Sequence, residues 1–151
     1  MAIALAIGTI TNSIAALAPT GVEVLDYDEI PEKWDVRKPA LFPNPEGFVT
    51  DFEVVLQSTG TGGTEKMDVR YTLNYRFCYA PIGSGRGLSQ TYSAMTAMAF
   101  VIISKMLESD TLTGLVDLRL ASAINFGSVT DPAGNMCYGC DMAFRILEFA
   151  V

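Results

Sequence analysis

The stretch 67–79, MDVRYTLNYRFCY, decides how this chain folds. Its odd positions are apolar or aromatic: Met67, Val69, Tyr71, Leu73, Tyr75, Phe77 and Tyr79. Its even positions are polar or small: Asp68, Arg70, Thr72, Asn74, Arg76 and Cys78. A helix, with about 3.6 residues per turn, would smear those apolar side chains around its circumference, whereas a strand sends alternate side chains to opposite faces. Val, Tyr, Phe and Thr also suit a pleated surface. The stretch predicts a long strand with one dry face that its neighbours must cover.

Working outward, Phe48, Thr50, Phe52, Val54 and Leu56 alternate as well and predict a second long strand. Between the two lies a Gly/Thr-rich connection whose tip, Thr59, Gly60, Thr61, Gly62, Gly63 and Thr64, has no large side chain to pack. Together they predict a long protruding β-hairpin with a mobile tip. On the other side, Pro81 and the run Gly83-Ser-Gly-Arg-Gly87 break the strand, and a helix is expected from about Ser89, its cap, to Glu108. Tyr92, Met95, Ala99, Ile102 and Met106 form one apolar stripe on it, widened by Met98, Phe100, Val101 and Ile103. A helix apolar nearly all round has something on two sides, here the sheet and either the first helix or another subunit.

Val116, Leu118, Leu120, Ile124 and Phe126 predict a third alternating strand, and residues 130–135 a turn. The closing strand uses Met136, Tyr138, Cys140, Met142, Phe144 and Ile146. Its apolar parity then switches to Leu147, Phe149 and Val151, which predicts a bulge or an altered register.

Upstream, Ile3, Ile7, Ile10, Ile14 and Leu17 form the stripe of an amphipathic helix ending near Pro19. No Lys or Arg precedes Lys33, so this segment reads as a packed first helix rather than a signal peptide. Residues 22–25 read as a short strand. The acidic residues that follow, Glu23 through Glu32, lack the central glycine of a calcium loop and read as a solvated edge. Four of the seven prolines fall in residues 30–47, which predicts an extended arm. Trp34, Pro39, Leu41, Phe42 and Pro43 are the residues expected to pin it to the body or to a neighbouring subunit.

With 151 residues, one domain spanning 1–151 is expected. The hydrophobic content is 50% and the charged content 18%, a composition suited to a subunit with surface to hide in partners. A formal charge of −7 argues against a protein that grips nucleic acid by neutralising phosphates. The apolar run 97–103 is far too short to span a bilayer, so no membrane is expected as a partner. Cys78, Cys137 and Cys140 make an odd number, which gives no disulfide framework and favours a reducing compartment.

No catalytic constellation is apparent. Histidine is absent, which removes the commonest metal ligand and the usual general base. Cys137-x-x-Cys140 has the letters of a zinc or redox half-site. In a regular strand, however, residues three apart face opposite sides, and a second ligand pair is missing. Gly83-x-Gly85 after a strand and before a helix has Leu88 where a dinucleotide fingerprint needs its third glycine. Neither a catalytic residue nor a metal or other cofactor is therefore expected. The expected fold is α+β: a mainly antiparallel sheet of four to five strands, two helices packed on one face, and the protruding hairpin.

Several of these features together resemble the tail terminator proteins of long-tailed bacteriophages. They are the Pro-Ala-Leu-Phe-Pro arm at 39–43, the glycine-tipped hairpin, the Tyr-Ala-Pro-Ile-Gly-Ser-Gly-Arg-Gly run at 79–87 with its following helix, and the 131–135 turn before a C-terminal strand. The resemblance implies a virion structural protein rather than an enzyme. It would form a hexameric ring of itself at the head-proximal end of the tail, made in the host cytoplasm. The ring would end polymerisation of the tail tube protein and present a surface to the head–tail connector, while DNA passes through its lumen without specific binding. The hairpin tip, Thr59–Thr64, would contact the tube, and the arm would serve the subunit interface. The alternatives are another phage neck or tail-tube subunit, or a small nucleotide- or ligand-binding domain using the 83–87 loop.

Overall fold

The computed structural model describes residues 10–11, 14–16, 22–25, 39–58, 65–82, 88–108, 116–120 and 123–149. Among them the chain is α+β, built mostly of sheet. In chain order the elements are β1 (Glu23–Val24), β2 (Ala40–Pro43), β3 (Val49–Ser58), β4 (Glu65–Pro81), helix α1 (Leu88–Glu108), β5 (Val116–Leu120), β6 (Phe126–Thr130) and β7 (Met136–Phe149).

The strands form one mixed seven-stranded sheet with β4 and β7 at its centre. These two pair antiparallel from Asp68↔Phe149 to Pro81↔Cys137. Along the outer side of β4 run β3 and then β2, both antiparallel to it. Along the outer side of β7 run β5 and then β6, again both antiparallel. Each flank thus comprises two strands in line, separated at 44–48 on one side and between Leu120 and Phe126 on the other. These interruptions explain why the sheet has seven strands rather than the expected four to five. The antiparallel expectation also needs correction at β1, which pairs parallel to β2 through Glu23↔Ala40 and Val24↔Leu41.

The period-two reading of β4 fixes which face is dry. Val69, Tyr71, Leu73, Tyr75 and Phe77 are at most 1% exposed and share one core with Cys140, Met142, Phe144 and Ile146 of β7. Tyr75 meets Phe144 edge to face at 6.2 Å and Phe48 at 5.5 Å. Helix α1 covers this face with Met95, Ala99, Ile102 and Met106, four buried positions spaced by four, three and four residues. Met95, Ile102 and Met106 removed from water contribute roughly 1.5–3 kcal/mol each. Lys105 in the last turn of α1 complements the negative end of its dipole. Ile10 and Ile14 are helical and wholly buried in the same core. With Thr11 and Ala15 they are the helical residues described within the expected first helix, and α1 is the single full helix among the described residues.

Two register shifts depart from the sequence reading. In β3 the pairing passes from Thr50↔Thr72 to Glu53↔Arg70, so β3 spends one residue more than β4 there. Asp51 takes a positive φ of 53° at this bulge. The bulge turns Thr50 to the wet face while Val54 lies opposite Val69, breaking the alternation expected from Phe48 to Leu56. In β7 the bulge expected near Leu147 is absent: its pairing with β4 is unbroken from Phe149 to Gly139. The chain instead buries the carboxylate-bearing Glu148 on the helix face, opposite Val69 and Val116, at 6% exposure. The β4–β7 shift lies at the far end, between Cys78 and Ala80.

Gly139 sits at that shift, and a Cβ there would fall on the carbonyl oxygen of Phe77 and 2.9 Å from Val129 Cγ2. Backbone and a packed side chain have no room to withdraw. Gly139→Ala is expected to lower the unfolding free energy by about 2–3 kcal/mol in urea denaturation. Gly127→Ala, where nothing lies within 4 Å of the new atom, should change it far less.

Candidate functional site

The even positions of β4 and the odd positions of β7 form the opposite face of the sheet, and there the polar side chains gather. At its centre Arg76, only 6% exposed in its side chain, is opposite Asp141. Its Nε donates to Asp141 Oδ1 at 2.8 Å and its Nη2 to Oδ2 at 3.3 Å. Nη1 donates to both the carbonyl and the hydroxyl of Thr130 at 3.2 Å, and Nη2 also reaches Glu46 Oε2 at 3.3 Å. Burial opposes the charge on Arg76, but the Asp141 and Glu46 carboxylates outweigh it and hold the guanidinium protonated above its ordinary range. One side chain therefore ties β4 to β7, to the end of β6 and to the turn that interrupts the β2–β3 flank.

That turn is held by its own polar groups. Asn44 accepts from the Glu46 amide at 3.0 Å through its side chain and from the Gly47 amide at 3.2 Å through its carbonyl. Asn74 spans the same gap, its amide group donating to Thr50 Oγ1 at 2.8 Å and to the Phe48 carbonyl at 3.3 Å. On the other flank, the break between β5 and β6 opens a cavity of about 460 Å³ lined by Asn74, Asn125, Phe126, Ser128, Asp141 and neighbouring backbone. A second cavity, of about 310 Å³, lies near the β5 end between Arg70, Arg119, Arg145, Ile146 and Leu147.

The cysteines divide as strand geometry requires. Cys140 belongs to the helix-side core, whereas Cys137 faces the other way and packs with Cys78, Leu25, Ala40 and Phe42 in a smaller cluster. The pair that the fold brings together is thus Cys78 with Cys137, across two strands. All three thiols are free and buried. Its hydrogen bond with Cys137, and then burial, push the Cys78 thiol far up. Burial, reinforced by the charge of Asp141, pushes Cys140 from 9.0 up to about 12. On the helix side the Tyr71 hydroxyl reaches no acceptor in good geometry and stays protonated, held so by burial first and the Glu148 carboxylate second. Among the described residues no three His, Cys, Asp or Glu side chains come together as metal ligands, and no helix is long and apolar enough to cross a membrane.

Of the residues singled out in the sequence, Trp34 and the whole hairpin tip from Thr59 to Thr64 lie outside the described residues, as does the loop 83–87. Within the arm, Leu41, Phe42 and Pro43 belong to β2. Leu41 joins the main core and Phe42 the smaller cluster, both at 0% exposure, so they anchor the chain to its own body. Pro39 is half-buried, and its carbonyl accepts from the Glu23 amide at 3.0 Å.

Among the described residues, large apolar side chains stay exposed at several places, among them α1, β3 and the Ile82–Met136 pair. Phe100, Val101 and Leu107 line the outer side of α1 at 71, 45 and 43% exposure. Phe52 and Val54 are about half exposed on β3, with Phe52 stacked on Tyr71 at 6.0 Å. The sequence reading missed the arginine-lined cavity and the Arg76 network. The signal for both was present in the shared parity of Arg70 and Arg76 and in the opposite parity of Asp141 and Arg145.

Asp141→Asn leaves a buried cation without its bidentate partner and is expected to destabilise by about 1–2 kcal/mol. Glu46→Gln, at a solvent-exposed carboxylate, should cost under about 0.5 kcal/mol. Urea denaturation of the two variants checks the order. The raised thiol gives a further expectation, because the folded state holds the Cys140 proton more tightly than the unfolded chain does. Its contribution is fully present below pH 9 and is lost as pH rises from 9 towards 12. A Cys140→Ala variant should show a shallower loss of stability over that window, and at pH 8 none of the three thiols of the folded protein should react with an alkylating reagent.

No protein-family model matches this chain, and no curated protein matches it in sequence.

Proposed function

We propose that this chain is a virion structural protein of the tail-terminator kind. It assembles as a ring at the head-proximal end of a phage tail tube, ends polymerisation of the tube and offers a surface for head joining. One observation carries the reading: among the described residues, apolar side chains stay exposed both on α1 and on β3. Phe100, Val101 and Leu107 lie on a helix that packs over β5, β7 and β4, while Phe52 and Val54 lie on β3, at the other edge of the sheet. Two unlike patches on one subunit suit a heterologous contact, patch against the neighbour's other patch, which repeats until rotation closes it. A C2 dimer would need one patch that matches itself.

The hairpin adds to this. The pairs Leu56↔Met67, Gln57↔Lys66 and Ser58↔Glu65 extend beyond Asp68↔Phe149, the last pair of β4 with β7. The ribbon therefore runs past the body of the sheet, where its edges are available to pair with strands of a tube subunit. The Gly/Thr-rich tip then supplies an adaptable end. A tube or neck subunit would use the same exposed edges, and the form of the assembly separates the readings.

Purified protein is expected to sediment as a concentration-dependent oligomer and to appear as single rings in negative stain. Phe100→Glu should shift it to monomers with an unchanged circular dichroism spectrum. Deleting residues 59–63 should leave the ring and the fold intact while abolishing attachment to tails. Long cylinders would identify a tube subunit, and a strictly monomeric protein at high concentration would overturn the assembly reading.

A further inference from the structure

The cavity of about 460 Å³ lies where the outer side of β7 is open. β5 ends at the pair Leu120↔Phe144 and β6 begins at Phe126↔Cys140. Among the described residues, Asp141, Met142 and Ala143 therefore have no strand partner on that side. Because β5 and β6 stand in line at its two ends, the gap is roughly 10 Å long. It admits a compact molecule rather than an added strand.

Two polar side chains of its lining are already held in fixed orientations. Asp141 accepts one bond on each oxygen from Arg76, at 2.8 and 3.3 Å. A carboxylate has about four accepting sites, so about two remain, and the side chain is 49% exposed. Arg76 also cancels its charge. Asn74 is the diagonal neighbour of Asp141 across the β4–β7 pair, about 7–8 Å away. Its NH2 group donates to Thr50 Oγ1 and to the Phe48 carbonyl. A carbonyl only accepts, which fixes that end of the amide as nitrogen and leaves the oxygen as its remaining polar atom. Around the two, Gly127, Val129 and Ala143 make a wall of small uncharged residues, and Asn125 stands exposed at the rim. Gly127 is on the same face as Asp141 through its pairing with Gly139, and a Cβ there would meet open space.

We propose that this cavity binds a neutral polyhydroxylated compound, a single sugar ring or a cyclitol. The bonds that Asp141 and Asn74 already make are what suits them to it, because they orient two accepting groups and neutralise the one that is charged. A cationic ligand would meet Arg76, whose Nε lies 2.8 Å from the same carboxylate. An anion would meet the accepting oxygens. A peptide group brings a single N–H, whereas adjacent ring hydroxyls donate one bond to each carboxylate oxygen and a further hydroxyl reaches Asn74. Each hydroxyl also accepts, which matches the Asn125 amide at the rim. The small side chains of the wall leave space for the C–H face of the ring.

The test is saturation-transfer NMR on the full chain, which reads binding in a ring or in a monomer and so stands apart from the assembly reading. The probes are glucose, galactose, mannose, N-acetylglucosamine and myo-inositol. Putrescine, succinate and a blocked dipeptide serve as cationic, anionic and amide controls. Transfer to at least one of the hydroxylated probes and to none of the controls is expected. Gly127→Leu, which fills the cavity from a position with open space beside it, should abolish that transfer. Asn125→Ala, at an exposed position, should weaken the affinity about tenfold. Circular dichroism checks that each variant is folded, and if Gly127→Leu is not, Asn125→Ala decides alone. Transfer to no hydroxylated probe, equal transfer to the controls, or sugar signals undiminished in the folded variants would overturn the site.

Discussion

The antiparallel pairing of β4 with β7 is the constraint on which the other elements depend. A strand pair with strict alternation has two faces of opposite character, and each neighbour must match the face it meets. Tyr71, Leu73, Tyr75 and Phe77 with Met142, Phe144 and Ile146 require a helix on their side. Arg76, Asp141, Asn74 and Thr72 require polar turns on theirs. A slip of one residue would put Arg76 into the aromatic core and Phe77 into water. The Arg76–Asp141 fork stands at the centre of the pair and disfavours that slip, since a shift of one or two residues leaves the guanidinium with no carboxylate opposite it.

The same division separates structural from interaction chemistry. The helix side is filled by large side chains, and its buried Glu148 and Tyr71 lie among them. The polar side has the cavities and most of the ordered hydrogen bonds between side chains. The two faces of the sheet thus differ in kind: one is packed with apolar side chains, the other is hydrogen-bonded.

Much of this was legible in the residues themselves. Period-two alternation located β4 and β7 and their dry face, because a buried face tolerates no register error. The helix at 88–108 was legible from its stripe at three- and four-residue spacing. The opposite facing of Cys137 and Cys140 followed from strand geometry alone. What was not legible depended on pairing. Val116 to Phe126 reads as one alternating strand, and only the register on β7 shows a break after Leu120. The turn of Thr50 away from Phe52 depends on one backbone conformation at Asp51, which no apolar pattern records. Glu148 reads as a polar position beside a parity switch, yet pairing with β4 carries it into the core. The arginine cavity combines residues from three strands, so it exists only once their order is known.

The division of each flank, at 44–48 and between β5 and β6, has a bearing on solubility. A subunit with greasy flanks and two outer strands of full length would present unbroken rows of amide donors and acceptors, a template for fibres. On the β7 side β5 and β6 have five residues each, so a stray strand there makes few hydrogen bonds before a gap; on the β4 side β2 has four residues and the longer β3 is distorted by the bulge at Asp51. The gaps thus deny indiscriminate cross-β growth a continuous track.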